Sequence, residues 1–99
     1  MSLKTQDLFN VSNKVVVVTG GSRGIGEMIT SGFLANGSKV YITARKEEAL
    51  LEKAQELSSK YNCECIPVSG DISAMEGINS LVEFLNDAEP NGIDCLINN

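Results

Sequence analysis

No histidine occurs anywhere in the 99-residue chain. Structural metal sites draw on cysteine and histidine at set spacings, and here three cysteines stand as a C-x-C pair, Cys63 and Cys65, with Cys95 far off. No metal site is expected from that set. Residues i and i+2 of one strand are also badly placed to bridge, so the three thiols read as reduced and partly buried, as in a cytoplasmic protein. Basic residues are scarce as well: eight Lys and Arg against thirteen Asp and Glu leave a net charge of −5. Such a surface suits neither a nucleic acid nor an anionic membrane. Long apolar runs are missing, none approaching the roughly 18 residues that a helical membrane span requires. Met1 to Asn13 has one lysine and no apolar h-region, which argues against a secretory signal or an Arg-rich transit peptide. There is no internal repeat and no low-complexity segment. What is present is 42% hydrophobic and 21% charged, enough for one domain with one modest core.

Against that background one stretch stands out, Thr19-Gly20-Gly21-Ser22-Arg23-Gly24-Ile25-Gly26, directly after the apolar run Val15 to Val18. A β-branched run of that kind reads as a strand buried on both faces, and a helical apolar pattern begins at Ile25. The glycines therefore lie at a strand-to-helix turn. Bare backbone N–H groups and the positive end of a helix dipole meet there, a combination suited to an anion such as pyrophosphate. Gly20 would make the turn, Gly24 would admit the anion close to the backbone, and Gly26 would let the helix pack tightly. The spacing is not Gly-x-Gly-x-x-Gly, and the loop lacks the Gly-Lys-Ser/Thr ending of a nucleotide-triphosphatase P-loop. A plain βα turn is the bland alternative.

Taken in order, Met1 to Asn13 is a polar lead-in whose Leu8, Phe9 and Val11 are expected to dock on the domain. Lys14 to Thr19 is the first strand. A helix from about Gly24 to Asn36 should bury Ile25, Met28, Ile29 and Phe33 as one core stripe, with Gly37 stopping it. Lys39 to Ala44 is a second strand. The next helix carries Glu47 and Glu48 in its first turn, an apolar face of Leu50, Ala54, Leu57 and Tyr61, and Lys60 in its last turn. Glu64 to Ser69 makes a third strand. Ser73-Ala74-Met75-Glu76 has the form of a capping box, and Ile78, Leu81, Val82 and Leu85 continue a helical stripe. After a polar loop, Ile93 to Asn98 is the fourth strand.

Strands alternating with helices predict an α/β fold, a Rossmann-type doubly wound parallel sheet. Right-handed crossovers carry strands one to three to one side, and a fourth strand returning beside the first gives the order 3-2-1-4. A crevice then opens at the switch point above the carboxyl ends, where the glycine loop lies.

In such folds the residue ending the second strand distinguishes NAD from NADP, because a carboxylate there accepts from an unphosphorylated ribose. Here the place is taken by Ala44, followed by Arg45 and Lys46. A guanidinium beside a missing carboxylate welcomes a 2′-phosphate, and Arg23 in the glycine loop could reach the same group. At about 1.5 to 3 kcal/mol per charge-assisted hydrogen bond, two arginines could favour NADP by roughly two to four orders of magnitude before solvent discounts it. A solvated helix start is the alternative for Arg45 and Lys46, though basic charge in a first turn opposes the dipole. Asp71 could accept from an adenine amino group or begin a turn and cap a helix. Asn98 and Asn99 would either hydrogen-bond neighbouring strands or line the crevice.

Three ordered motifs, Thr19-Gly20-x-x-x-Gly24-Ile25-Gly26, Asp71-Ile72 and Ile97-Asn98-Asn99, resemble those of the short-chain dehydrogenase/reductase family, over the chain from about Leu8 onward. The resemblance implies that Gly20, Ser22, Arg23, Gly24, Ile25 and Gly26 bind pyrophosphate, that Asp71 and the Ile72 amide contact adenine, and that Asn98 and Asn99 steady the strand beside the cofactor ribose. Arg23 with Ala44-Arg45-Lys46 is similar to the NADP-preferring subset, and Ser22 to Gly26 to 3-oxoacyl-carrier-protein-reductase-like members. It further implies a small-molecule carbonyl substrate and a homo-oligomer formed through segments outside this chain. The family pattern continues Ala-Gly where this chain stops, which reads as the N-terminal cofactor-binding part, residues 1–99, of one Rossmann domain. The family's catalytic Ser and Tyr-x-x-x-Lys have no counterpart here: Tyr41 is followed by Arg45 on a buried strand and Tyr61 by Cys65. No catalytic residue is expected in the chain, and by itself it should bind NADPH weakly without turnover. A non-catalytic NADP-binding or redox-sensing module is the alternative function. A flavodoxin-like or receiver domain is disfavoured by the glycine pattern and by the lack of an acidic cluster after the first strand.

Overall fold

The computed structural model describes residues 10–99. Of the lead-in residues expected to dock, Leu8 and Phe9 lie outside them, while Val11 is half-buried and its carbonyl accepts Ser38 Oγ at 2.6 Å. Four strands, β1 (Val15–Thr19), β2 (Lys39–Ala44), β3 (Cys65–Ser69) and β4 (Cys95–Ile97), alternate with α1 (Gly24–Ala35), α2 (Glu47–Tyr61) and α3 (Met75–Ala88). All pairings are parallel and the order is β3-β2-β1-β4, as the alternation predicts. Pro67 is tolerated because β3 is an edge strand, where a missing N–H leaves no ladder unpaired.

One face of the sheet holds the core. Val16, Val18, Val40, Ile42 and Cys65 point toward Leu34 of α1 and Leu50, Ala54 and Leu57 of α2. Each fully buried aliphatic side chain there contributes about 1.5 to 3 kcal/mol. The apolar face expected for α2 is the one it buries.

The stripe expected for α1 is displaced. Its buried residues are Gly26, Thr30 and Leu34, with Ile29 and Phe33 half-buried alongside, whereas Ile25 and Met28 are 70% and 73% exposed. A contact, not apolarity, sets the helix rotation. A Cβ on Gly26 would sit on the Gly20 carbonyl oxygen, so the 26-30-34 line is the one that can lie against the sheet.

The opposite face is covered by α3 alone among the described residues. The Phe84 ring meets Tyr41 edge-on at 6.0 Å, and Tyr41 Oη donates to Glu89 Oε2 at 2.5 Å. Lys39 Nζ lies 2.6 Å from the same carboxylate, which ties the end of α3 to the start of β2. The expected α3 stripe is not buried: no residue of the helix is, and Ile78, Val82 and Phe84 are 40%, 49% and 41% exposed. Leu96, beside Val17 on the same face, is 58% exposed. The amphipathic pattern is real, but a single helix on this face leaves its apolar side half in solvent.

Two local expectations also change. The capping box at Ser73 to Glu76 does not form, because α3 starts at Met75 with Ala74 at its cap. Ser73 turns back to Asp71 instead, its N–H and Oγ both donating to Oδ1, at 3.0 and 2.5 Å. Strand β4 is shorter than Ile93 to Asn98. Asp94 occupies its approach, the N–H donating to the Val15 carbonyl and Oδ2 accepting the Val15 N–H at 2.8 Å. At the far end, the Asn98 side chain takes the Thr19 hydroxyl.

Candidate functional site

The carboxyl ends of β1, β2 and β3 open onto a cleft of about 420 Å³. The turn leaving β1 forms one wall. Gly20 (φ +64°) donates its N–H to the Thr43 carbonyl at 3.0 Å, anchoring the turn to β2 before it swings out. Gly24 (φ +59°) opens the helix, and a Cβ there would meet nothing within 4 Å. Its surface is bare backbone facing open space. Arg23 caps α1 in extended conformation with no side-chain hydrogen bond to the first turn, and the first helical bond recorded runs from the Glu27 N–H to the Arg23 carbonyl. The leading amides of α1 thus keep no side-chain acceptor.

Cationic side chains border the same cleft. Gly20, Ser22, Arg23, Arg45, Asp71, Ile72 and Asn99 line it, and an adjoining hollow of about 420 Å³ is lined by Ser22, Arg23, Ala44, Arg45, Lys46 and Ala49. That hollow sits at the N-terminus of α2, whose cap, Lys46, makes no side-chain cap bond either. Among the described residues, Arg23, Arg45 and Lys46 join no ion pair. Three cations and an uncapped helix start therefore converge where β2 ends in Ala44, with no carboxylate at that position. Asp71 is the one acid of the cleft lining. Its carboxyl is held below the usual carboxylate range, first by the Ser73 hydroxyl and N–H and further by the Arg45 guanidinium.

Gly26, Ile25 and Asn98 lie outside that lining, whereas Asn99 both lines the cleft and braces it. Gly26 is buried, and a Cβ on it would also come within 2.7 Å of Asn99 Nδ2. Asn99 joins the end of β4 to the turn: its N–H donates to Thr19 Oγ1 at 2.9 Å, and Nδ2 donates to the Gly20 carbonyl at 3.3 Å. Asn98 Oδ1 accepts the Thr19 hydroxyl at 3.2 Å, and Asn98 is not among the residues that line the cleft. Ile25, in the first turn of α1, projects into solvent. Thr30 escaped the sequence reading, while Thr19 and Ser73 were named for other roles, as a strand and motif residue and as a helix cap. Thr19 passes for an ordinary β-branched strand residue, and only Thr30's four-residue offset from Gly26 could have marked it.

Chemically, the arrangement can hold an extended polyanion. Backbone amides at the head of α1 suit a diphosphate, and the cationic hollow suits a further phosphate. A dinucleotide with a phosphorylated ribose fits both features. The cleft offers no acid–base group other than Asp71 among the residues that line it. Tyr41 lies mid-strand in β2 on the face covered by α3, bonded to Glu89, and burial together with that bond raises its phenol above its ordinary value.

A family model described as short chain dehydrogenase matches residues 14–99. The rhamnolipids biosynthesis 3-oxoacyl-acyl-carrier-protein reductase of Pseudomonas aeruginosa is 40% identical over 91 residues, 92% of this chain and 34% of that protein. L-sorbose reductase from Gluconobacter frateurii, solved with NADPH and L-sorbose, superposes with a TM-score of 0.84 at 36% identity, over 89% of this chain and 33% of the other. The Pseudomonas aeruginosa RhlG/NADP active-site complex gives 0.84 at 38%, over 92% and 36%. The chain thus spans about a third of the length of the relatives it matches.

Proposed function

The chain belongs to the short-chain dehydrogenase/reductase family, and we propose that it is the dinucleotide-binding part of an NADP(H)-dependent oxidoreductase that reduces a carbonyl compound. The observation that carries the cofactor choice is the hollow at the end of β2, where Arg23, Arg45 and Lys46 meet an uncapped helix start and no carboxylate stands. Relatives solved with NADPH and NADP add support.

In this reading Gly20, Ser22, Gly24, Ile25 and Gly26 cradle the diphosphate, by amides or by close approach, with Arg23 above them. Arg45 and Lys46 take the 2′-phosphate. Asp71 and the Ile72 amide hold adenine. Asp71's bond to Ser73 does not compete with this, because a carboxylate has lone pairs enough for both. Asn98 and Asn99 brace β4 beside the ribose. The bound nicotinamide would supply the hydride, and this chain's residues bind and orient it. Residues 1–99 form part of one Rossmann domain, and catalytic groups, substrate pocket and self-association belong to segments outside it. A 3-oxoacyl compound is the substrate suggested by the Pseudomonas reductase. Free Cys63, Cys65 and Cys95 favour a cytoplasmic setting; no helix among the described residues is long and apolar enough to cross a membrane.

Calorimetric titration of the chain with NADPH and NADH tests the reading. Tighter binding of NADPH is expected, with no steady-state reduction of carbonyl compounds. Equal affinities would remove the NADP assignment, and turnover by the chain alone would contradict the division of labour.

A further inference from the structure

Thr30 is wholly buried in the middle of α1, ten positions after the start of the turn it touches. Its Oγ1 lies 2.9 Å from the Gly26 carbonyl oxygen and 3.3 Å from that of Gly21. The first contact is the ordinary back-bond of a helical threonine to the residue four before it. The second is not local to the helix. Gly21 is buried, and among the described residues no backbone N–H donates to its carbonyl. A buried carbonyl without a donor is costly, so the single Thr30 hydroxyl proton, shared between the Gly26 and Gly21 carbonyls, is what makes this inward-facing peptide tolerable.

The space around Gly21 makes the same point. A Cβ there would stand 2.6 Å from Ile42 Cγ2 and 2.8 Å from Thr30 Oγ1, so the Gly21 backbone is clamped between β2 and α1. A trans peptide is planar, with its C=O and N–H pointing in opposite directions, and the described chain has no cis bond. Holding the Gly21 carbonyl inward therefore holds the Ser22 N–H outward. Ser22 lines both the cleft and the cationic hollow.

We propose that Thr30 is a positioning residue for the phosphate cradle: its hydroxyl fixes the Gly21–Ser22 peptide so that the Ser22 amide presents to the bound anion. The inference rests on the reading of the cleft as a dinucleotide site. Thr30 touches no ligand and acts through the turn.

The test compares the unmodified chain with Thr30→Val, which keeps the shape and deletes the donor, and Thr30→Ser, which keeps the donor. Calorimetry with NADPH is paired with adenosine 2′-monophosphate, which lacks the diphosphate, and amide NMR follows Ser22 during both titrations. Thr30→Val should weaken NADPH about five- to twenty-fold and adenosine 2′-monophosphate less than about twofold, with Thr30→Ser within about twofold of the unmodified chain for both. Because Ser22 borders both the cleft and the hollow, its amide in the unmodified chain should shift markedly more with NADPH than with adenosine 2′-monophosphate. Unchanged NADPH affinity in Thr30→Val, equal losses for both ligands, or failure of Thr30→Ser to restore binding would each overturn the role. A Ser22 amide that ignores NADPH overturns it without any variant, so a misfolded valine form does not shelter it. An unmodified chain that binds neither ligand overturns the dinucleotide reading itself, and this inference with it.

Discussion

The Asn99 side-chain nitrogen donates to the Gly20 carbonyl across 79 positions of sequence, at 3.3 Å. This bond lies directly over Gly26, so the end of the last strand, the glycine turn and the first helical turn share one crowded point.

Gly26→Ala should therefore be among the costly small substitutions in the chain. Its methyl group would press on the Gly20 carbonyl and on Asn99, and such overpacking destabilises by about 1 to 3 kcal/mol. Gly32→Ala, on the same helix with nothing within 4 Å of the new carbon, should stabilise by about 0.5 to 1 kcal/mol. Urea unfolding of the two variants should shift in opposite directions. Gly26→Ala should also lose NADPH binding, while Gly32→Ala keeps it.

Arg45→Asp places a carboxylate where β2 gives way to α2, in the hollow shared with Arg23 and Lys46. It removes one charge-assisted hydrogen bond to a 2′-phosphate and adds repulsion. The NADPH-to-NADH affinity ratio should fall about 10- to 100-fold, mostly through weaker NADPH binding. A ratio that stays put in calorimetry would mean that Arg45 is only a solvated helix start.

The Glu89 cluster predicts how stability follows pH. Lys39 first, and Tyr41 next, hold the Glu89 carboxyl below its ordinary value, and Glu89 in turn raises Lys39 above the usual ammonium range. A lowered carboxylate contributes stability above its unfolded value of about 4.3, and that contribution goes as pH falls through the folded one. For Lys39 the sign reverses: the contribution is present below the unfolded value and goes as pH rises through the raised one. Glu64, 4.0 Å from Lys39, is the other charge nearby. Urea midpoints measured from about pH 3 to pH 7 should drop on the acid side, and Glu89→Gln should flatten that limb and lower the neutral plateau. A variant whose acid limb matches the unmodified one would show that Glu89 is not the group responsible.

Thiol labelling should separate the cysteines. Cys65 is buried against the α2 face, and burial pushes its thiol up to about 11, whereas Cys63 and Cys95 are half-buried. At neutral pH about one Cys65 side chain in ten thousand is thiolate. Peptide mass spectrometry after iodoacetamide treatment should find Cys63 and Cys95 modified first, and Cys65 only at the rate of unfolding. Early Cys65 labelling would mean that β3 opens locally.

Element order, strand direction and the place of the glycine turn were all legible in the chain. They follow from local physics: β-branched runs make buried strands, glycine spacing breaks a strand into a helix, and crossovers have one hand. Arg45 and Lys46 were legible for the same reason, since their place depends only on where β2 ends. Tertiary structure alone decided which face α1 turns inward. Apolarity favoured Ile25 and Met28, but contact across the turn at Gly26 rotated Thr30 and Leu34 to the sheet. It also decided that Ser73 serves Asp71 in place of capping α3, that α3 keeps Val82 and Phe84 half in solvent, and that Asn99 reaches Gly20. Each of these outcomes is a choice among partners of similar chemistry, and such choices turn on distances of an ångström or less between segments that only the folded sheet brings together.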